Sequence, residues 1–392
     1  MTDVFILSGQ RTAIGDYGKA LKDIPPTKLG EIAIRAALAK SGVDAAEIQH
    51  VVMGNVIHTE PRDAYLSRVS AVEAGIPVET PALTVNRLCG SGLQAVISAA
   101  QSIMLGDASL AVAGGAESMS RGGYLLPTER WGARLGDSKV IDMVVGALND
   151  PFGNGHMGIT AENVAARYNV SREMQDAFSV QSHHRAAAAI AAGHFKSQIT
   201  PVELPSRKGT IIFDTDEHVR ADVSPEALAA LRPAFKKDGT VTAGNASGLN
   251  DGGAALVLAS GAEVSRRGAK PLARLVAYGH AGVAPEVMGL GPIPASQKAL
   301  AKAGLTIADI DVIESNEAFA SQACAVARDL GFDPAKVNPN GGAVALGHPI
   351  GASGAVIAIK AIYELHRTGG RYALATMCIG GGQGIAAIFE RV

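Results

Sequence analysis

Short apolar runs alternate with stretches of helical periodicity along the first third of the chain. Apolar runs bounded by turn-forming residues, of the kind that buried strands show, occupy residues 4–9, 50–56 and 110–117. Apolar positions recur every three or four residues in two stretches between them, residues 29–43 and 93–107. This alternation of strand and helix predicts an α/β fold.

The apolar and polar pattern then repeats in the last third of the chain. The segment "ALAKSGVDAAEIQHV", which begins at Ala37, is matched by "ALAKAGLTIADIDVI", which begins at Ala299. The same offset of 262 residues places Ser91-Gly92 on Ser353-Gly354, and strand 110–117 resembles residues 373–384 once a gap is allowed. A constant offset with the same order of elements predicts two similar α/β halves related by a pseudo-two-fold axis.

Residues 119–248 have no counterpart in the second half, which predicts that they are an insertion into the first half. The helical pattern within 160–195 predicts two helices, with a weak capping box at Ser171 marking the start of the second.

Composition narrows the class of protein. The chain has 392 residues, 47% hydrophobic and 18% charged, with 46 glycines and a net charge of −2, so it has ample material for a large core and no basic stripe for nucleic acid. No signal peptide and no apolar run of about 18 residues is evident, so we expect no membrane span. The three cysteines lie far apart without histidines at ligand spacing, which predicts no disulfide, no metal site and a cytoplasmic location.

A cysteine before a glycine-rich turn raises the first question of chemistry. In "NRLCGSGLQAV", residues 90–95 fit part of the G-x-G-x-x-A dinucleotide fingerprint, but the repeat copy at 352–354 lacks it, and the next strand ends in glycines rather than a ribose-binding acid. A nicotinamide site is therefore disfavoured. Two alternatives remain open for Cys89, namely a small buried residue and a reactive thiol.

The reactive alternative has a physical basis. At a helix start, Cys89 would face unpaired backbone N–H groups and the positive end of the helix dipole. Both lower a thiol pKa, which favours the nucleophilic thiolate, and the same N–H groups can accept a developing oxyanion.

Residues that could act in one site with such a thiol occur in the second half of the chain. His348 precedes the helix that pairs with the Cys89 helix by pseudo-symmetry, and a histidine beside a cysteine can take its proton. Cys378 ends a strand before three glycines, and Asn316-Glu317 lie where a strand meets a helix. We expect these element ends to form one site. Cys324 is expected to be structural, and His183 and His184 to be solvated.

Four segments together resemble the thiolase family: the Cys89 segment, "NEAF" (316–319), "GGAVALGHPIGASGA" (341–355) and "CIGGGQG" (378–384). Their order and spacing agree over essentially the whole chain, with the greatest likeness to bacterial acetyl-CoA acetyltransferases and broad-specificity β-ketothiolases. The resemblance implies a five-layered α/β/α/β/α fold with a buried helix pair between two sheets. It divides the chain into an N-terminal half (1–118 with 249–270), an inserted loop domain (119–248) and a C-terminal half (271–392).

The resemblance also implies a mechanism. Cys89 takes the acyl group of an acyl-CoA while His348 removes its proton. Cys378 then deprotonates acetyl-CoA, whose carbanion attacks the acyl group to give a 3-ketoacyl-CoA. His348 and a water on Asn316 would form one oxyanion hole, and the N–H groups of Cys89 and Gly380 the other.

Coenzyme A is implied as a substrate, with no permanently bound cofactor and no metal. The residues expected to line its tunnel are Leu148, His156, Met157, Arg220, Ala234, Phe235, Ala243, Ser247, Leu249, Met288, Ala318 and Phe319. Residues 122–139 resemble the family's tetramer-forming loop, so a homotetramer is expected, with a place in fatty acid metabolism or polyhydroxyalkanoate biosynthesis. Two alternatives are a decarboxylating ketoacyl synthase, which generally uses two histidines, and an inactive acyl-CoA-binding protein.

Overall fold

A computed structural model describes residues 2–392. The N-terminal half carries strands and helices in alternation: β1 (Val4–Thr12), β2 (Gly15–Asp16), α1 (Pro26–Ser41), β3 (His50–Gly54), α2 (Leu66–Glu73), β4 (Ala82–Val85), α3 (Ser91–Leu105) and β5 (Leu110–Ser118). The predicted elements at 4–9, 29–43, 50–56, 93–107 and 110–117 are confirmed, with ends displaced by a few residues.

A long inserted segment, residues 119–249, follows β5 and is called the excursion below. Its elements are β6 (Tyr124–Leu125), β7 (Ile141–Asp142), α4 (Met143–Ala147), α5 (Met157–Tyr168), α6 (Arg172–Ala192), β8 (Ile199–Thr200), β9 (Val202–Ser206), β10 (Gly209–Phe213) and α7 (Pro225–Ala229). The two helices predicted within 160–195 are α5 and α6, and Ser171 caps α6 by accepting the backbone N–H of Met174. The chain then returns in β11 (Asn250–Ser260), which lies antiparallel to β5, and continues into α8 (Gly261–Arg267).

The C-terminal half repeats the plan of the first. It contains β12 (Ala273–Gly282), α9 (Pro292–Ala303), β13 (Val312–Ser315), α10 (Ala320–Leu330), α11 (Ala343–Leu346), α12 (Ile350–Thr368), β14 (Tyr372–Ile379) and β15 (Gln383–Arg391). Gly42 after α1 and Gly304 after α9, which the 262-residue offset equates, both end their helix in the left-handed conformation, at φ of 67° and 66°.

The strands of the two halves form one continuous hydrogen-bonded array. Its order is β13-β14-β15-β12-β1-β11-β5-β3-β4, so each half contributes one side. The two sheets join where β1 meets β12, and within residues 2–392 the paired residues there are Phe5–Arg274 and Ile6–Ala273. The resemblance implied two sheets, and the structure shows that these sheets are joined along this short edge.

Helices α3 and α12 form the middle layer, because each contacts the other and strands from both halves. Helices α1 and α2 cover the outer face of the first sheet, α9 covers that of the second, and apolar side chains of α10 join the same core cluster as α9 and the strands of the second sheet. The central layer is packed with alanine, valine, isoleucine and leucine side chains of nearly zero exposure. This is the five-layered α/β/α/β/α arrangement that the resemblance to the thiolase family implied.

The segment Leu88–Leu105 is apolar enough to cross a membrane by length and composition alone, with a mean hydropathy of 1.3 over 18 residues. It is α3 with the turn before it, and the helix packs against α12 and strands from both halves. Its apolar character therefore comes from its position as a core helix.

The excursion is tied to the first half by a buried ion pair. Arg11 of β1 donates two hydrogen bonds, of 2.7 and 2.9 Å, to the carboxylate of Asp216, and neither side chain is exposed. Asp216 also accepts the backbone N–H of Ile14 at 2.8 Å. This network holds the segment after β10 against the core, next to residues that line the site.

Candidate active site

The turn that presents Cys89 is shaped by its neighbours in the sequence. Leu88 adopts a left-handed conformation, with φ of 46°, and Gly90 caps α3. The hydroxyl of Ser91 accepts the N–H of Arg87 at 2.8 Å and donates to the carbonyl of Leu88 at 2.6 Å. Cys89 is thereby placed at the N-terminal end of α3 with its side chain half-buried.

His348 lies in the corresponding loop before α12. Gly347 has φ of 103°, and a Cβ there would lie 2.5 Å from the side-chain carbon of Asn250, so only glycine fits. The side-chain oxygen of Asn250 accepts the N–H of His348 at 2.8 Å. The ring Nδ1 is 2.6 Å from the hydroxyl of Ser353, and no residue within 2–392 hydrogen-bonds Nε2. Burial lowers the pKa of His348 to about 4, so the imidazole is neutral at pH 7.

Cys378 is the penultimate residue of β14 and is fully buried. Burial and the neighbouring Cys89 both raise the pKa of its thiol, so it rests as a protonated group. The chain then turns through Gly380, whose N–H faces the thiol of Cys89 together with that residue's own N–H.

The protonation of Cys89 differs from our expectation. Burial raises its pKa to about 11, and the buried carboxyl of Glu117 adds to this rise. The N–H groups of Gly380 and Cys89 pull the pKa down, as a helix start was expected to do, but desolvation of the thiolate outweighs them. The expectation of a lowered pKa was therefore wrong, and the thiol needs a base.

Most of the predicted site residues line one cavity of about 440 Å³. Cys89, His348, Cys378 and Gly380 lie on its wall. The residues expected to contact coenzyme A all line it as well: Leu148, His156, Met157, Arg220, Ala234, Phe235, Ala243, Ser247, Leu249, Met288, Ala318 and Phe319. Its lining is mainly apolar, and the ring of His156 stacks on that of Phe235 with centroids 4.6 Å apart.

Asn316 is the one predicted catalytic residue that does not line this cavity. It is buried behind the wall, where its N–H donates to the carbonyl of Thr376 at 2.9 Å. It lines a much smaller cavity of about 20 Å³, which Gly347 and Ser353 also line. Its side-chain nitrogen has no hydrogen-bond partner among the described residues.

Several lining residues were not foreseen from the sequence. They are Leu88, Met119, Val144, Val145, Ala147, His218, Ala246, Gly248 and Ile350. Most carry apolar side chains without a distinguishing pattern. His218 had a signal, since it lies in the charged loop "FDTDEHVRAD" two residues before Arg220. Its Nδ1 lies 2.9 Å from a carboxylate oxygen of Asp16, which orients the ring.

Glu117, at the end of β5, was also missed. Its carboxyl group is fully buried and accepts the backbone N–H groups of Val56, Ile57 and Gly351 at 3.1, 3.1 and 2.9 Å. Burial raises its pKa to about 8. Because Gly351 lies in the first turn of α12, Glu117 ties the first half to the helix that follows His348. An acidic residue after "VAGGA" was the only sequence signal.

His183 departs from expectation. It is only 3% exposed and its ring Nδ1 accepts the N–H of Arg220 at 3.1 Å, whereas solvation was predicted. Contacts with the later segment that carries His218 and Arg220 bury this face of α6, which the helix pattern alone does not reveal. Burial lowers the pKa of His183 to about 4. His184 is exposed, as expected.

Cys324 lies apart from the catalytic cluster. It is half-buried on α10 and lines a different cavity of about 370 Å³ between α6 and α10, which holds none of the predicted catalytic residues. Its structural role stays a prediction.

Comparison with known proteins gives matches along the whole chain. The family model of the thiolase N-terminal domain matches residues 4–262, and that of the thiolase C-terminal domain matches residues 269–391. The chain is 62% identical over 391 residues to "Beta-ketothiolase BktB" of Cupriavidus necator, a match that covers 100% of this chain and 99% of that protein. It is 52% identical over 391 residues to an acetyl-CoA acetyltransferase of Chromobacterium violaceum, covering 99% of this chain and 100% of the relative.

Solved thiolase structures also superpose on the whole length of this chain. Human mitochondrial 3-ketoacyl-CoA thiolase superposes with a TM-score of 0.98 at 45% identity, covering 100% of this chain and 99% of that one. The same human enzyme in complex with CoA gives a TM-score of 0.97 at 45% identity, covering 100% and 98%.

Proposed function

The chain belongs to the thiolase family, and from that premise we propose that it is an acetyl-CoA C-acyltransferase. It condenses acetyl-CoA with an acyl-CoA to form a 3-ketoacyl-CoA and free CoA, and it catalyses the reverse thiolysis. The observation that carries the proposal is the shared cavity, on whose wall Cys89, His348, Cys378 and Gly380 lie together. The mainly apolar tunnel that continues from them suits the pantetheine arm of coenzyme A.

The first half-reaction transfers the acyl group to the protein. The neutral imidazole of His348 takes the proton of Cys89, whose sulfur attacks the thioester carbonyl. The N–H groups of Gly380 and Cys89, which face the thiol sulfur, are suitably placed to stabilise the tetrahedral oxyanion. As that intermediate collapses, the CoA thiolate leaves and takes the proton of Cys378. The products are acyl-Cys89, free CoA, the imidazolium of His348 and the thiolate of Cys378.

The second half-reaction uses that thiolate. Cys378, whose buried environment makes its thiolate a strong base, takes a proton from the methyl carbon of acetyl-CoA. Imidazolium His348, together with a water held by Asn316, stabilises the enolate oxygen. The carbanion attacks the carbonyl of acyl-Cys89, and the departing sulfur recovers its proton from His348. Every group returns to its starting state.

This reaction requires no resident cofactor, because the thioester carbonyl activates both carbon atoms that react. Arg220, near the expected nucleotide end, supplies a positive charge for the phosphates of coenzyme A. A decarboxylating synthase is less well supported, since Cys378 and Asn316 occupy the places where such enzymes generally have their two histidines.

We further propose that the protein is a homotetramer in the cytoplasm. Support for the tetramer comes from the excursion after β5, where Tyr124, Leu125, Trp131 and Leu135 expose large apolar side chains. Support for the location comes from the three cysteines, which are free in the described chain.

The activity is tested with acetoacetyl-CoA and CoA as substrates. We expect the absorbance of the 3-ketoacyl enolate to fall as acetyl-CoA forms. No fall with the wild-type protein, under conditions where it is folded, would contradict the enzymatic function and leave an inactive acyl-CoA-binding protein as the alternative.

Cysteine variants assign the two half-reactions. With acetyl-CoA, we expect an acetyl adduct in the intact mass of the wild-type protein and none in Cys89→Ala. Cys378→Ala should still accept acetyl at Cys89, with imidazolium His348 protonating the CoA thiolate instead, but it should not condense the acetyl group, because the base for the methyl proton is missing. Cys324→Ala, which removes a cysteine outside the cavity, is the control. Normal turnover by Cys378→Ala would contradict the second assignment.

A further inference from the structure

The ring of His348 is held by a single hydroxyl group. Its Nδ1 lies 2.6 Å from the Oγ of Ser353, in the first turn of α12, and both side chains are buried. No other side chain within residues 2–392 hydrogen-bonds this imidazole. The proton positions on the ring are therefore controlled by Ser353.

The direction of the hydrogen bond follows from the second contact of the hydroxyl. Ser353 Oγ lies 2.9 Å from the carbonyl oxygen of Pro349, four residues earlier, and donates to it. Serine commonly makes this bond to the preceding turn of a helix. A hydroxyl has one hydrogen, so Ser353 presents a lone pair to His348, and Nδ1 must carry the hydrogen.

We propose that Ser353 is a positioning residue that holds His348 as the Nδ1–H tautomer and so leaves Nε2 as the bare acceptor for the Cys89 proton. A neutral imidazole protonated at Nε2 could not perform this step without moving its proton. The proposal rests on the proposed function for its catalytic consequence, but the tautomer itself is a property of the resting protein.

The internal duplication supports a shared function for this position. Ser91, the residue that the 262-residue offset equates with Ser353, occupies the first turn of α3. Its hydroxyl likewise bonds back to the preceding loop, donating to the carbonyl of Leu88 and accepting the N–H of Arg87. The serine hydroxyl at this position thus stabilises the Cys89 loop in the first half, and the equivalent hydroxyl orients His348 in the second half.

The tautomer is read directly by NMR of protein labelled with ¹⁵N-histidine, with His348→Asn used to assign the signals. Between pH 6 and 8, we expect wild-type His348 to show a protonated Nδ1 and an unprotonated Nε2. Ser353→Ala should show a mixture of tautomers, because no group then distinguishes the two nitrogens. A protonated Nε2 in the wild-type protein, or an unchanged pattern in Ser353→Ala, would overturn the proposal.

The catalytic consequence is measured as the single-turnover rate of Cys89 acetylation by acetyl-CoA. In Ser353→Ala, we expect this rate to fall on the order of 100-fold, as for losses of residues that orient a histidine, with little change in the acetyl-CoA concentration at half-saturation. Ser353→Thr keeps the hydroxyl and should restore most of the rate. Ser70→Ala, which removes another buried serine hydroxyl on α2, is the folding control.

The two readouts separate this proposal from the proposed function. If wild-type Cys89 is not acetylated, the proposed function fails. The His348 tautomer measured by NMR still shows whether Ser353 positions the ring. If Ser353→Ala does not fold, the wild-type spectrum alone decides it: Nδ1–H supports the proposal and Nε2–H overturns it. An acetylation rate equal to wild type in Ser353→Ala would also overturn it.

Discussion

At the residue scale, the proposed nucleophile Cys89 and its proposed base His348 are both neutral at rest. Burial lowers the pKa of His348 to about 4 and raises that of Cys89 to about 11. A ready-made thiolate would require desolvation of a charge, which this site makes unfavourable. In the proposed reaction, the proton therefore moves from Cys89 to His348 during the attack, when negative charge develops on the substrate oxygen beside its N–H donors.

This pair of pKa values predicts how acetylation of Cys89 depends on pH. His348 is an effective acceptor above its pKa of about 4, and Cys89 holds its proton below its pKa of about 11. Between these values neither group changes charge, so the single-turnover rate with acetyl-CoA should be nearly constant from about pH 5 to pH 7, below the pKa of about 8 at which the nearby Glu117 becomes charged. Rapid quenching followed by intact mass measures it.

A reaction through free thiolate would behave differently. Its rate would rise about tenfold for each pH unit in this range, because the thiolate fraction does so below the thiol pKa. Such a slope would contradict the role of His348 as base. The acetyl-CoA concentration is kept saturating at each pH, so that changes in binding do not affect the comparison.

At the element scale, the closeness of α3 and α12 brings the two catalytic loops together. Both helices carry a glycine where they approach each other near their first turns. A Cβ on Gly92 would lie 2.7 Å from the backbone nitrogen of Ala355, and a Cβ on Gly354 would lie 2.2 Å from that of Leu93. The Ser-Gly pair that both halves share thus combines a loop-binding hydroxyl with room for the partner helix.

Gly354→Ala tests this packing. The added methyl group meets backbone atoms that cannot move independently, so we expect a loss of about 1–3 kcal/mol in the free energy of unfolding. We also expect a lower rate of Cys89 acetylation, because separation of the helices moves His348 away from Cys89. Denaturant unfolding and the single-turnover assay measure the two effects.

Gly146→Ala in α4 is the matched control, since a Cβ there meets no atom within 4 Å. Its free energy of unfolding should stay equal or rise by up to about 1 kcal/mol, because alanine is the better helix former. Equal stability of the Gly354→Ala and wild-type proteins would contradict the close packing of the two helices.

At the scale of the whole molecule, the excursion after β5 differs from the compact core in the exposure of its large apolar side chains. Trp131 is 89% exposed and Leu135 is 98% exposed, and neither lies on the wall of the catalytic cavity. Apolar side chains this exposed on one segment favour an interface between copies of the chain. The proposed tetramer would cover them.

Replacement of both residues by aspartate tests the assembly. The variant Trp131→Asp/Leu135→Asp should form dimers, because the eight new carboxylates of a tetramer, two from each chain, would be buried and unpaired on association. Light scattering coupled to size exclusion measures the mass. Acetylation of Cys89 should stay at the wild-type rate, since neither residue lines the cavity.

Leu105→Asp, at the exposed end of α3, is the control for a new charge at an 80% exposed leucine, and it should leave the mass unchanged. A wild-type protein that is already dimeric, or a double variant that remains tetrameric, would contradict the proposed role of the excursion.

By itself, the sequence determined the alternation of elements and the duplication, and it selected the residues that are proposed to be chemically active. Strands 4–9 and 110–117 and helices 29–43 and 93–107 were predictable, because buried strands and helices impose distinct periodicities on apolar residues. The duplication could be matched at particular residues, because each half ends or begins a helix at the equivalent position. Gly42 corresponds to Gly304, and Ser91 to Ser353.

The tertiary structure decided the protonation and the burial of those residues. The rise in the pKa of Cys89, the burial of His183 and the contribution of His218 to the cavity all depend on segments far away in the chain. The pairing of β1 with β12, which joins the two sheets, is likewise a contact between the halves. Local sequence sets the backbone conformation of a segment, whereas desolvation depends on everything that packs around it, and only the folded chain brings those neighbours together.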